Sequence, residues 1–272
     1  MSGNNTDKVF SGSMPEVYNR YLVPLIFEAY AEDLANRVAA TQPTRVLEVA
    51  AGTGVVTRKL ADVLPSGTPI VATDLNQPML DVASAIGTKQ AVEWRQADAM
   101  ELPFPNGIFD AVVCQFGFMF FPDKLKAFAE ARRVLRPGGI LLFNVWDRIE
   151  ENEFADTVTT ALARLYPTDP PRFMARTPHG YCDPATIAQD LAHGGFTTSP
   201  QITTVTARSR AASARLPALA YCQGTPLRNE IEARDSSGLG EATDLATEAI
   251  ARRFGEGAVD GKIQAHIVTI HN

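Results

Sequence analysis

Between residues 44 and 146, short apolar runs alternate with amphipathic stretches about a dozen residues long, and this alternation limits the fold more than any other feature of the sequence. It predicts a strand over 45–49, a helix over 53–64, a strand over 70–73, a helix over 77–86 and a strand over 92–96. A fourth strand falls in FDAVVCQFGF. A helix over 123–135 follows, with Leu125, Phe128 and Leu135 on its buried face; Pro137-Gly138-Gly139 ends it and ILLFNVW makes a fifth strand. Strands that are apolar nearly throughout are buried on both faces, so the expected fold is α/β, a doubly wound and mostly parallel sheet covered by helices.

Outside this core the periodicity is looser. Pro24 reads as the first residue of a helix whose apolar positions Ile26, Phe27, Tyr30, Leu34 and Val38 recur at helical spacing up to Ala40. Beyond Asp147 come a helix over 154–165, a bend rich in proline (Pro167, Pro170, Pro171, Pro178), a helix over 184–192 and a strand over 202–207. Helices over 216–222 and 242–254 precede the closing strand KIQAHIVTI, in which Gln264, His266 and Val268 share a face. The expected organisation is a helical cap over 1–43 and one domain over 44–272. Segments 150–180 and 209–260 would form a lid or substrate region, where Phe154, Leu165, Phe173, Leu216 and Leu219 suggest an apolar pocket.

The formal charge of −6 and pI near 5.3, with no long run of Lys or Arg, argue against nucleic acid as a partner. Cys114, Cys182 and Cys222 are widely spaced and join no Cys/His cluster, so neither a disulfide framework nor a metal site is expected. No apolar run is long enough to span a bilayer and the first residues lack a leader pattern, which points to the cytoplasm.

VLEVAAGTGVVT, residues 46–57, puts Gly52 and Gly54 in the turn after the first strand. Glycine suits a turn whose backbone approaches a ligand, because a Cβ would collide and positive φ is cheap only there. A dinucleotide fingerprint wants a further glycine where Thr57 stands, and a phosphate loop wants Lys-Ser or Lys-Thr where Val55-Val56 stand. What the chain offers is Glu48 at the end of the first strand, Asp74 at the end of the second and Asp98 after the third, along the edge where open α/β sheets bind ligands. Carboxylates without phosphate-binding equipment suit a nucleoside that carries positive charge, such as S-adenosylmethionine.

These residues resemble the class I S-adenosylmethionine-dependent methyltransferases, in particular their small-molecule, quinone-biosynthesis-like branch. VLEVAAGTG is similar to that family's first motif and VATDLNQPML to its second. QADAMELPFPNGIFDAVVCQFGFMFFPD is similar to its third and fourth, and RVLRPGGILLFNVWD to the segment leading into the fifth strand. The resemblance implies a Rossmann-like sheet of seven strands in the order 3-2-1-4-5-7-6, the last antiparallel, with helical lid insertions. It also implies that Glu48 and the turn of Ala50, Ala51, Gly52, Thr53 and Gly54 hold the methionine end, and that Asp74 holds the ribose hydroxyls. Leu75 and Met79 would flank the adenine, and Asp98 would accept from its amino group, with Ala97, Ala99 and Met100 beside it. Gln115 and Phe116 would line the methyl-donor pocket. Tyr18 and Tyr21 match in position a segment that folds over the cofactor, where an aromatic ring suits a sulfonium; a packed N-terminal helix accounts for them equally. An alanine in this turn at positive φ would be strained.

The implied activity is methyl transfer from S-adenosylmethionine, leaving S-adenosylhomocysteine, to a small-molecule acceptor, aromatic or prenylated, at oxygen or carbon. In-line displacement at an activated carbon asks the protein to align the reactants and exclude water. No Asn-Pro-Pro-Tyr or Asp-Pro-Pro-Tyr segment, which accompanies amino-group methylation in the family, follows the fourth strand. His179, in the proline-rich loop with Tyr181, is the candidate general base; the alternative is a solvated loop histidine. Cys114 and Asp110 read as structural, and Asp74 and Asp98 also suit turn caps. Two rival classes stand beside this reading: a nicotinamide-dependent oxidoreductase, and a protein that binds the cofactor without turnover. A monomer or homodimer is expected.

Overall fold

The computed structural model describes residue 7 and residues 12–272. Its strands are β1 (Val46–Val49), β2 (Ile70–Asp74), β3 (Val92–Gln96), β4 (Phe109–Gln115), β5 (Leu135–Trp146), β6 (Gln201–Ala211) and β7 (Val259–His271). They form one seven-stranded sheet in the order β3-β2-β1-β4-β5-β7-β6, the order expected from the resemblance. β1 to β5 pair in parallel. The Gly138 N–H donates to the Asn272 carbonyl and the Asp147 N–H to that of Gln264, so β7 runs antiparallel to β5. Thr204 opposite His266 and Thr206 opposite Gln264 give β6 and β7 the same antiparallel relation.

The helices between the first strands follow from their ends. α3 (Val55–Val63) leaves the glycine turn, and α4 (Gln77–Ile86) carries Pro78 in its first turn and ends at Gly87, φ +79°. In α5 (Lys124–Val134) the Asp123 carboxylate accepts the Lys126 N–H at 2.9 Å, the expected cap. The apolar runs are continuous because both faces of the sheet are covered: Val46, Leu47, Val112, Leu141 and Phe143 are fully buried. Each such side chain contributes about 1.5–3 kcal/mol. Of the phenylalanines after β4, Phe118 is core, stacked on Phe128 at 4.3 Å with Phe143 at 4.6 Å.

The N-terminal helix differs from expectation. α1 (Met14–Val17) passes through a wide π-helical stretch (Tyr18–Phe27) into α2 (Glu28–Ala40), so Pro24 lies inside the helix and does not begin it. Proline has no N–H to donate and its ring crowds the preceding turn; a wider turn accommodates both defects and lets the helix continue. Further on are α6 (Glu153–Leu165), α7 (Phe173–Arg176), α8 (Pro184–His193), α9 (Arg215–Gly224), α10 (Leu227–Arg234) and α11 (Leu239–Phe254). Neither α7 nor α10 was expected; α10 buries only Leu227 and Ile231, too few for a periodic signal.

The chain gathers into two compact units. The sheet unit holds Glu28–Val145, Tyr181–Val205 and Ala265–Asn272. The helical unit holds the described residues through Phe27 with Trp146–Gly180 and Thr206–Gln264. This division falls at Phe27 and not at the expected boundary of the 1–43 cap, whose residues 1–6 and 8–11 lie outside those described. Within the helical unit, Phe154 is fully buried and meets Phe254 edge-on at 4.9 Å. Phe173 is buried too, so of the residues expected to line an apolar pocket these two are core, while Leu165, Leu216 and Leu219 keep partial exposure.

Candidate cofactor-binding site

The turn after β1 coils by placing alternate residues in the left-handed region: Ala50 at φ +55°, Gly52 at +55° and Gly54 at +78°. Its backbone is tied down, the Ala51 N–H donating to the Thr73 carbonyl and the Gly54 N–H to that of Ala51, each at 2.9 Å. Gly54 is required twice over, by its φ and because a Cβ there would lie 2.9 Å from Trp94 Cη2 and 3.1 Å from Ala83 Cβ. Ala50 takes the same conformation with its Cβ in place, the strain foreseen for an alanine here, on the order of 1–2 kcal/mol.

Asp74 pins this turn to the end of β2. Its Oδ2 accepts the Gly52 N–H at 2.8 Å and its Oδ1 the Asn76 N–H at 2.8 Å. The cap position of α4 belongs to Asn76, so Asp74 is not a simple helix cap. Burial raises the pKa of its carboxyl against the lowering effect of those amide bonds. Glu48 is 1% exposed, and its Oε2 accepts the Thr57 hydroxyl at 2.6 Å. Burial pushes its pKa from 4.5 up to about 8, opposed by the Thr57 bond and by Arg58. Arg58 also donates to the Thr53 carbonyl at 2.7 Å. Thr57, in sequence merely the absence of a third glycine, is thus the hydrogen-bond partner of Glu48. Asp98 accepts the Met100 N–H at 2.9 Å and shapes the turn after β3, while the Ala97 N–H donates to the Asp74 carbonyl at 3.0 Å. Leu75 is 42% exposed beside Asp74, whereas Met79 and Ala99 are buried.

At the end of β4, neighbour to β1, Phe116 is a second left-handed non-glycine residue, at φ +52°. The side chain of Asn144 on β5 accepts its N–H at 2.9 Å. Sequence reasoning missed Asn144, although a polar residue inside ILLFNVW was the available signal, and it missed Gly117. Asp110, read as structural, fills that role at the start of β4: its carboxylate accepts from the Thr44 and Arg45 N–H groups and pairs with Arg136 at 2.7 Å. Burial would raise its pKa, and these partners outweigh it, leaving the carboxyl below its ordinary range.

The residues of the turn fit a polar ligand by an independent sign. The Thr53 hydroxyl, inside the glycine turn, is buried and has no hydrogen-bond partner among the described residues. Buried polar groups are nearly always satisfied, and a ligand seated at the turn would supply the missing partner.

Tyr21 and His179 belong to the helical unit and are described there. The Arg20 guanidinium lies 5.1 Å from the centre of the half-buried Tyr21 ring, and Tyr18 stacks on Phe27 at 5.2 Å. His179 is 6% exposed, with Nδ1 at 2.8 Å from the Asp147 carbonyl. Burial lowers its pKa from 6.5 to about 4, outweighing the Asp147 bond. That is the setting of a neutral ring fastening a loop, not of a solvated loop histidine and not of a base open to substrate. Among the described residues no group of three or more His, Cys, Asp or Glu stands where it could hold a metal ion.

This geometry agrees with what the chain is similar to. Residues 47–143 match the family described as methyltransferase domain. The chain is 37% identical over 144 residues to the demethylmenaquinone methyltransferase of Deinococcus radiodurans, covering 52% of this chain and 59% of that protein. It is 35% identical over 126 residues to the ubiquinone/menaquinone biosynthesis C-methyltransferase UbiE of Francisella philomiragia, covering 45% of this chain and 47% of that one. The chain thus spans roughly half the length of these curated relatives. Among solved structures, the [4+2]-cyclase SpnF shares the fold, with a TM-score of 0.55 and 18% identity over 90% of this chain and 80% of that one. The seven-stranded sheet is the Rossmann-like methyltransferase fold, and residues 47–143 are similar to the methyltransferase domain and to curated quinone-biosynthesis methyltransferases.

Proposed function

We propose that this chain transfers a methyl group from S-adenosylmethionine to a small-molecule acceptor. The observation that carries the reading is the carboxylate of Asp74 fastened to Gly52 in a turn of alternating left-handed residues: it joins an acceptor for ribose hydroxyls to a backbone that a ligand can approach. The unpartnered Thr53 hydroxyl in the same turn supports it. When bound, S-adenosylmethionine supplies a methyl carbon already activated by its sulfonium. Asp74 accepts from the ribose, Leu75 and Met79 flank the adenine, and Asp98, with Ala97, Ala99 and Met100 beside it, accepts from the adenine amino group. Glu48, held with its pKa raised by burial, would take up negative charge beneath the turn of Ala50, Ala51, Gly52, Thr53 and Gly54 when the cation of the ligand offsets its desolvation, and Gln115 and Phe116 line the donor end. The chain's own work is to orient the reactants and exclude water. In this reading His179 takes no part, because it is enclosed, its Nδ1 meets the Asp147 carbonyl, and a pKa lowered to about 4 leaves it a weak proton acceptor.

The names of the curated relatives, a demethylmenaquinone methyltransferase and a ubiquinone/menaquinone biosynthesis C-methyltransferase, favour a quinone-type acceptor methylated at carbon. Segments 150–180 and 209–260 would select it. No described helix is long and apolar enough to cross a membrane, and we place the reaction in the cytoplasm. Because the fold also serves a [4+2]-cyclase, turnover itself has to be measured. Calorimetry with S-adenosylmethionine, S-adenosylhomocysteine and NAD, then transfer of labelled methyl to a panel of hydroxylated and prenylated aromatics, tests both halves of the proposal. Tight NAD binding without response to the other two would sink it; cofactor binding without transfer would point to a sensor. Asp74→Ala is expected to weaken S-adenosylmethionine binding by about 1.5–3 kcal/mol, the worth of hydrogen bonds to a charged group.

A further inference from the structure

Asn144 has no place among the groups assigned to the cofactor, yet it governs the end of β4. It is fully buried, its Oδ1 accepts the Phe116 N–H at 2.9 Å, and its amide nitrogen lies 3.4 Å from Gln115 Oε1. The same Phe116 N–H also lies 3.1 Å from the Asn144 carbonyl. Gln115 is the last residue of β4 in register, opposite Asn144; one residue later the backbone turns left-handed at φ +52°. A bulky side chain keeps that conformation only where its surroundings over-determine it. Here the side chain of Asn144 fixes the N–H, and Tyr30 meets the Phe116 ring edge-on at 5.5 Å. Gly117 leaves the turn room, since a Cβ there would lie 2.5 Å from Cys114 Sγ and 2.7 Å from Ala50 Cβ. The last distance matters most: the left-handed turns at Ala50 and Phe116, at the ends of neighbouring strands β1 and β4, pack against each other.

We infer that Asn144 is a positioning residue for the methyl-donor site. By holding Phe116 left-handed it sets where Gln115 and Phe116 present themselves and keeps Gly117 against Ala50, so losing its side chain loosens both turns together. Its neighbours Phe143 and Val145 are fully buried and apolar, so packing alone gives no reason for an amide here. The inference rests on the methyltransferase reading for its ligand and adds to it a residue outside the binding motifs.

The test compares Asn144→Ala and Asn144→Asp with Val145→Ala, a buried change on the same strand. S-adenosylhomocysteine affinity is measured by calorimetry, exchange of the Phe116 amide by hydrogen exchange, and unfolding by heat. Asn144→Ala should bind about tenfold more weakly and show reduced protection at Phe116, whose N–H keeps the backbone carbonyl of residue 144 and loses the side-chain acceptor. Asn144→Asp, whose carboxyl still accepts the Phe116 N–H, should recover part of the affinity, and it carries the test if the alanine variant does not fold. Val145→Ala should lower the unfolding temperature and leave affinity unchanged. Wild-type affinity in Asn144→Ala, or an equal loss in Val145→Ala, overturns the inference alone. A wild-type protein that binds no S-adenosylhomocysteine overturns the methyltransferase reading and the inference with it.

Discussion

In the sheet unit the acids at the turns are buried and satisfied by amides and hydroxyls: Asp74 by Gly52 and Asn76, Glu48 by Thr57. In the helical unit the acids pair with cations whose own side chains reach water, and several of these pairs lie at the surface. Arg176 joins Asp7 to Glu230, Arg253 joins Glu153 to Asp156, and Asp260 lies between Arg208 and Arg210. A carboxylate buried against dipoles bears a desolvation cost that a ligand's charge can offset, whereas an exposed pair is screened by water and already complete. The first arrangement is suited to binding and the second to holding helices in place.

The largest predicted difference between the regions comes from a glycine in each. Gly54→Ala forces a Cβ into a left-handed residue and to within 2.9 Å of the Trp94 ring, so strain and overpacking together should cost about 3 kcal/mol. Gly240→Ala, on the exposed face of α11 with no atom within 4 Å of the added Cβ, should stabilise by up to about 1 kcal/mol through helix propensity. Denaturant unfolding of both variants checks the pair; equal effects would erase the contrast.

Acidity should separate the units next. The folded-state pKa of Glu48 is raised, from 4.5 to about 8, so the folded chain holds a proton that the unfolded chain releases, and this contribution to stability is lost as pH rises from about 4.5 through 8. For His179 the pKa is lowered, from 6.5 to about 4, so its contribution is present above 6.5 and lost as pH falls towards 4. Glu48→Gln should therefore flatten the alkaline side of the stability profile and His179→Gln the acidic side. Unfolding temperatures across pH 4–9 for both variants measure this, and a profile unchanged in either would remove that group from the account.

The same contrast explains what could be read in advance. β1, β2, β4 and the second half of β5 are covered on both faces and so announce themselves as apolar runs, and Asp123 and Gly87 mark helix ends locally. The glycine turn and Asp74 were legible as types of residue in a place, but the bond from Gly52 to Asp74 joins residues far apart in the chain, as does that from Phe116 to Asn144. Local pattern carries no trace of either. Pro24 misled for the opposite reason: its local meaning, a helix start, was overridden by a π-helical stretch that packs Leu22, Val23, Leu25, Ile26 and Phe27 inside. In α10 the sequence LRNEIEAR offers two buried apolar residues, Leu227 and Ile231, and what helps fix that helix is the side chain of Glu230.

Glu230 also supplies the smallest predicted effect. Its Oε2 accepts the Arg172 and Phe173 N–H groups at 2.7 and 3.1 Å, at the start of α7, and its Oε1 meets Arg176 at 2.9 Å. Arg176 in turn holds Asp7, whose carboxylate also accepts the Thr177 hydroxyl at 2.6 Å. Glu230→Gln keeps an oxygen for the helix start and surrenders the charge, and the Arg176 side chain is 37% exposed, so water compensates most of the loss. The expected cost is below about 1 kcal/mol in global unfolding, with faster proteolytic nicking near Arg176 as the more sensitive readout. A loss of several kcal/mol would mean that this charge-paired network carries stability as the buried acids of the sheet unit do, and the distinction between the two regions would fail.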